Sequence, residues 1–75
     1  MLVKYFGQVA EITGIQEQVI EGEFLNTEAF NVFIKEKYQG LRQLNYRVSV
    51  NRKLDYAGKI SQNDEIALLP AFAGG

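Results

Sequence analysis

Apolar positions along the 75-residue chain follow two different spacings, and each spacing predicts an element. Leu2-Val3-Lys4-Tyr5-Phe6 and Gln16-Glu17-Gln18-Val19-Ile20-Glu21 are short runs, partly β-branched or aromatic and bounded by glycine, which is the pattern of strands. Between them, Val9, Ala10, Ile12 and Thr13 supply little more than one helical turn, and Gly14 stands where a glycine cap ends a helix. Phe30, Phe33, Ile34 and Tyr38 then recur at helical spacing, so a main helix is predicted from about Thr27 to Tyr38 with this stripe on the core. Asn26 or Thr27 can cap it, Glu28 suits the positive end of its dipole, Lys35 and Lys37 suit the negative end, and Gly40 reads as its stop.

In the second half, Arg47-Val48-Ser49-Val50-Asn51 predicts a strand with Val48 and Val50 on one face, followed by a turn at Asn51-Arg52-Lys53. Leu54-Asp55-Tyr56 reads as a short irregular strand, and Gln62-Asn63-Asp64 as a turn. Glu65 to Leu69 is the last strand. It is apolar on both sides, with Ile66 and Leu68 on one and Ala67 and Leu69 on the other, which predicts a strand central in its sheet or partly covered by a partner. Two strands, a long helix and returning strands predict an α+β fold with a mixed sheet and one main helix on one face, the β-grasp or ubiquitin-like arrangement. Residues 1–69 form the predicted domain, and residues 70–75 an extended tail ending in Gly-Gly.

Composition changes the picture mainly by what it removes. The chain has no cysteine and no histidine, so it offers no thiolate nucleophile, imidazole base, disulfide or His/Cys-ligated metal site. Eight basic residues against nine acidic ones leave a net charge of −1 without a basic cluster, which argues against nucleic acid as a partner. Arg52, Lys53 and Lys59 read as ordinary solvated surface. No apolar run approaches the ~20 residues of a membrane span, and Met1-Leu2-Val3-Lys4 has none of the features of a signal peptide. A cytoplasmic location fits best.

The chemistry left is at the end. Gly74-Gly75 would arise by chance in about one chain in two hundred, so its context gives it weight. Without a Cβ the backbone can enter a channel too narrow for other residues, and the group delivered there is the terminal carboxylate of Gly75. Pro70 restricts φ where the strand ends, and Phe72 is the one aromatic in a tail of small residues. Leu69, Pro70, Phe72 and Phe6 are the candidate partner contacts, with Gly74 and Gly75 the candidate reactive end.

These segments resemble the MoaD/ThiS family of sulfur carriers over the whole chain, most closely the members that serve molybdopterin synthase. Val3-Lys4-Tyr5-Phe6-Gly7-Gln8-Val9-Ala10-Glu11-Ile12-Thr13-Gly14 is similar to the family's Phe-small-x-x-x-Glu-x-x-Gly segment. Val50-Asn51 matches its middle, and Asn63-Asp64-Glu65-Ile66-Ala67-Leu68-Leu69-Pro70-Ala71-Phe72-Ala73-Gly74-Gly75 its Gly-Asp-Glu strand, proline and diglycine. Asn63 stands where glycine is common, and Ala71 where a second proline is common, which predicts a less stiff tail.

The resemblance implies that an E1-like adenylyltransferase uses ATP to adenylate Gly75, and that a sulfur donor protein converts the adenylate to a thiocarboxylate. It further implies docking on the large subunit of molybdopterin synthase, in a heterotetramer, and transfer of the sulfur to a cyclic pyranopterin precursor. The carrier itself is expected to bind no cofactor and no metal and to have no independent active site. Two alternatives use the same terminus: a sulfur carrier for thiazole synthesis, and a ubiquitin-like modifier that joins its glycine to a lysine amine.

Overall fold

A computed structural model describes residues 1–71. The chain forms strand β1 (Leu2–Tyr5), helix α1 (Gln8–Thr13), strand β2 (Glu17–Val19), helix α2 (Thr27–Lys37), a 3-10 turn (Gln39–Gln43), strand β3 (Tyr46–Val50) and strand β4 (Glu65–Pro70). The four strands make one mixed sheet in the order β2-β1-β4-β3. β1 pairs antiparallel with β2 and parallel with β4, in a register that sets Val3 beside Ile66 and Tyr5 beside Leu68. β3 pairs antiparallel with β4, setting Val50 beside Ile66, Val48 beside Leu68 and Tyr46 beside Pro70.

This register collects Val3, Tyr5, Ile66, Leu68 and Val50 on one side of the sheet, where they close a core with Val9 of α1 and Phe30 and Ile34 of α2. Met1, Ile20, Leu41 and Ile60 complete it. The opposite side carries Leu2, Ala67 and Leu69, each half-buried, beside an ion pair of Lys4 and Glu65 at 3.5 Å. That pair is half-exposed and contributes little to stability. β4 is therefore an inner strand, as its two apolar sides require.

α2 starts where Asn26 Oδ1 accepts the Ala29 N–H at 2.9 Å, so of the two caps open to the sequence Asn26 is the one used. Its stop is not Gly40. The helix closes at Tyr38, whose N–H still bonds the Ile34 carbonyl, and Gly40 lies inside the following 3-10 turn, which buries Leu41. A Cβ on Gly40 would lie 2.9 Å from Ile12 Cγ2, so the glycine admits α1 to that turn. Phe33 sits at the margin of the inward face, tilted against Phe24 with centroids 5.2 Å apart.

Two expected strands also differ. β2 covers only Glu17–Val19, because Ile20 turns into the core and Val19 is three-quarters exposed. Leu54-Asp55-Tyr56 forms no strand. Leu54 is exposed, and the Tyr56 hydroxyl donates to the Lys59 carbonyl at 2.7 Å, closing a local loop. The pairing in this region is instead an isolated bridge between Phe24 and Ile60, with N–H···O bonds of 3.0 and 2.9 Å.

A two-residue turn follows β3. Val50 and Lys53 exchange N–H···O bonds of 3.0 Å each, and Asn51 and Arg52 between them hold φ of 50° and 70°. Two positive φ values in a two-residue connection define the turn that favours Asn-Gly. Asn51 suits its place and also ties the turn to β4, its Oδ1 accepting from the Glu65 N–H at 2.9 Å and its Nδ2 donating to Asp64 at 3.0 Å. Arg52 carries a Cβ where glycine fits best. Arg52→Gly should stabilise the domain by roughly 0.5–1 kcal/mol, or a few degrees in Tm. A lower Tm in differential scanning calorimetry would contradict this account of the turn.

Candidate functional site

β4 delivers the chain to the candidate site. Its last residue, Pro70, has no N–H to give, and the strand's alternation points that nitrogen to the β1 side, just past the Tyr5–Leu68 pair that ends β1. On the β3 side Tyr46 is its partner. The ladders continue slightly beyond the strands: the Phe6 N–H donates to the Leu68 carbonyl at 3.2 Å, and the Ala71 N–H donates to the Asn45 carbonyl at 3.1 Å. The donor that a second proline at position 71 would lack is thus in use, which offsets the stiffness expected to be lost there.

Gly7 closes the other flank. It joins β1 to α1 at φ 53° and ψ −128°, a conformation open essentially to glycine. A Cβ at this position would lie 2.9 Å from Pro70 Cγ, below any normal contact distance. Gly7 therefore does two things, turning the chain into α1 and making room for the proline ring.

The predicted contact residues divide accordingly. Leu69 and Pro70 are half-buried at the end of the sheet, and Phe6, adjacent in the ladder, is 44% exposed. The structure thus brings Phe6, Leu69 and Pro70 to one end of the sheet. Phe72, Gly74 and Gly75 lie outside the described residues. Gly7 and Asn45 were not among the sequence candidates. A glycine between a strand and a helix signals a turn but not a distant proline, and Asn45 acts through its backbone carbonyl, which no side chain betrays.

Beneath this end of the sheet the polar groups are paired. Tyr5 and Tyr38 both donate to Gln18 Oε1 at 2.9 Å, tying β1 and the end of α2 to β2. Tyr46 donates to Asn31 Oδ1 at 2.8 Å, holding the start of β3 against α2. Among the described residues no group of three His, Cys, Asp or Glu comes together to hold a metal, and no helix is long and apolar enough to cross a membrane. A shallow groove of about 400 Å³ runs beside Phe6 and Gly7, lined also by Lys4, Gln16 and Glu17.

A helix clasped by a mixed four-stranded sheet, whose inner strand runs out into the final segment, defines a β-grasp protein of the ubiquitin-like kind. The ThiS family matches residues 3–75, and the chain belongs to that family, within the MoaD/ThiS sulfur carriers. Its structure is similar to that of a Pyrococcus furiosus protein assigned as molybdopterin converting factor, subunit 1, with a TM-score of 0.83 and 18% identity over 95% of each chain. It is also similar to SAMP1 from Haloferax volcanii, with a TM-score of 0.69 and 22% identity over 100% of this chain and 98% of that one. At these identities the two likenesses speak for the fold.

Tyr46 supports the strand beside the tail, and burial pushes its phenol from 10.0 up to about 12. Burial, and then the neighbouring Tyr38, raise Tyr5 still further. Both groups keep their proton longer folded than unfolded. The Tyr46 contribution is complete below pH 10.0 and is lost as pH rises from there toward about 12, and the Tyr5 contribution declines over a window that extends higher. Denaturant unfolding should show stability falling through that window, and Tyr46→Phe should make the fall shallower. An unchanged slope would show that the Tyr46 phenol is not buried as described.

Proposed function

We propose that this chain is a sulfur carrier whose activated end is Gly75, and that its pathway is molybdenum cofactor synthesis, with the chain acting as the small subunit of molybdopterin synthase. One observation carries the reading: an inner strand of a ThiS-family domain leads without interruption into Pro-Ala-Phe-Ala-Gly-Gly. The Phe6-to-Gly14 segment together with Leu69-Pro70 favours the molybdopterin branch over the thiazole branch.

A terminal carboxylate, with a reference pKa of roughly 3.3–3.7, is an anion near neutrality and a poor acyl electrophile. Activation by an E1-like adenylyltransferase removes this obstacle. A carboxylate oxygen of Gly75 attacks the α-phosphorus of ATP, and pyrophosphate leaves. The terminal sulfur of a donor persulfide then attacks the acyl carbon, and AMP departs with the bonding electrons. A second thiol takes the donor's other sulfur as a disulfide, releasing the thiocarboxylate. Docked on the large subunit, the sulfur passes to the cyclic pyranopterin precursor. Every acid, base and nucleotide contact belongs to a partner, which suits a chain with no histidine or cysteine.

Intact-mass spectrometry after incubation with ATP, the adenylyltransferase and a persulfide donor should show one oxygen of the chain replaced by sulfur. Deleting Gly75 should abolish that species and leave Tm within about 1 °C. Isopeptide-linked conjugates in place of the thiocarboxylate would assign the chain to the ubiquitin-like modifiers. A large drop in Tm on the deletion would mean that the tail belongs to the core.

Phe72 is the proposed anchor on the large subunit. Phe72→Ala should weaken that complex by ~2 kcal/mol or more in calorimetric titration, the scale of a buried aromatic hot spot. Unchanged affinity would remove Phe72 from the interface.

A further inference from the structure

We propose that Gly7 and the Asn45 carbonyl clamp the root of the tail, which makes Gly7 a positioning residue for activation of Gly75. The inference rests on the sulfur-carrier reading and adds to it a part of the chain far from the diglycine. Its basis is the pair of contacts at the last described residues. On one flank the Pro70 ring fills the space that a side chain at position 7 would need, with the would-be Cβ 2.9 Å from Cγ. On the other, the Ala71 N–H is held by Asn45 at 3.1 Å. The ring also fixes φ of Pro70 itself.

Two consequences follow. The chain's exit point is set by the sheet, because Pro70 is in register with Tyr46 and Ala71 is bonded to the residue before it. The reach beyond that point is short: four residues separate Ala71 from the terminal carboxylate, at most about 14 Å of extended chain. Counted in the same way from Pro70, the five residues of a free tail would have reached roughly 17 Å. With so little slack, a displaced root cannot be recovered by extending the tail, and misplacement of a reacting group by about 1 Å can cost on the order of a hundredfold in rate. A side chain at position 7 would press on the Pro70 ring and displace the root. Docking of the domain would stay as it was, and the acyl carbon would miss the nucleotide.

The test is a double-mutant cycle of Gly7→Ala and Pro70→Ala, read by ATP–pyrophosphate exchange on the adenylyltransferase with the full chain as substrate. With Pro70 present, Gly7→Ala should lower kcat by roughly tenfold or more and change KM by less than about twofold. In the Pro70→Ala background, where the ring is gone and only the backbone strain at position 7 remains, the loss in kcat should be smaller by at least about threefold. Equal losses in the two backgrounds would assign the effect to backbone strain at Gly7, and no loss would remove Gly7 from any role; either result overturns the clamp. Should Gly7→Ala fail to fold, the Ala71 amide of the unsubstituted chain decides. Hydrogen exchange slowed at least about tenfold relative to an unstructured peptide supports the clamp, and exchange at the peptide rate overturns it. If the unsubstituted chain supports no pyrophosphate exchange, the carrier reading fails, while the Ala71 amide still reports on the clamp.

Discussion

The inner position of β4 is the constraint on which the rest depends. One strand must pair along both edges and be covered on one side, so its side chains have to satisfy the sheet and the core together. Ile66 and Leu68 meet the core at full burial, while Ala67 and Leu69 are only half-buried on the other side. Pairing with β1 in parallel and β3 in antiparallel fixes the strand along its length, from the Leu2 N–H on the Asp64 carbonyl to the Ala71 N–H on Asn45. A strand held in this way is fixed as far as Ala71, where its last ladder bond is made.

Much of this was legible in the chain, for identifiable reasons. The aromatic stripe of α2 and its Asn26 cap are local signals, and they gave nearly the observed helix. Double-sided apolarity in Glu65–Leu69 is a statement about neighbours; it allowed a central strand or one covered by a partner, and the structure has the central one. With the glycine-bounded strands these suggested an α+β sheet with the helix on one face, but the strand order β2-β1-β4-β3 rests on long-range pairing that no local signal selects. Other features could not be read, because they depend on contacts between distant segments. Gly40 reads as a helix stop, yet its lack of a side chain serves the approach of Ile12. Leu54–Tyr56 has the composition of a strand but finds no edge to join. Phe24 and Ile60 form a bridge that neither neighbourhood announces.

The site divides along the same line. Leu69, Pro70 and Phe6 were singled out from sequence as apolar residues near the tail or exposed beside it, and the structure groups them at one end of the sheet. Gly7 and Asn45 were missed, one because the absence of a side chain carries no label, the other because its contribution is a backbone oxygen. Contacts between distant segments are what a one-dimensional reading recovers least. The paired polar groups around the sheet, Tyr5 and Tyr38 on Gln18 and Tyr46 on Asn31, fix the strands to one another and to α2.

Native-state hydrogen exchange tests the central claim most directly, since it reads the stability of each strand separately. If β4 is the strand that organises the fold, the Ile66 and Leu68 amides should exchange only when the whole domain unfolds, with the same denaturant dependence as global unfolding. Exchange of these amides through a partial opening, at lower free energy than the amides of α2, would contradict the account.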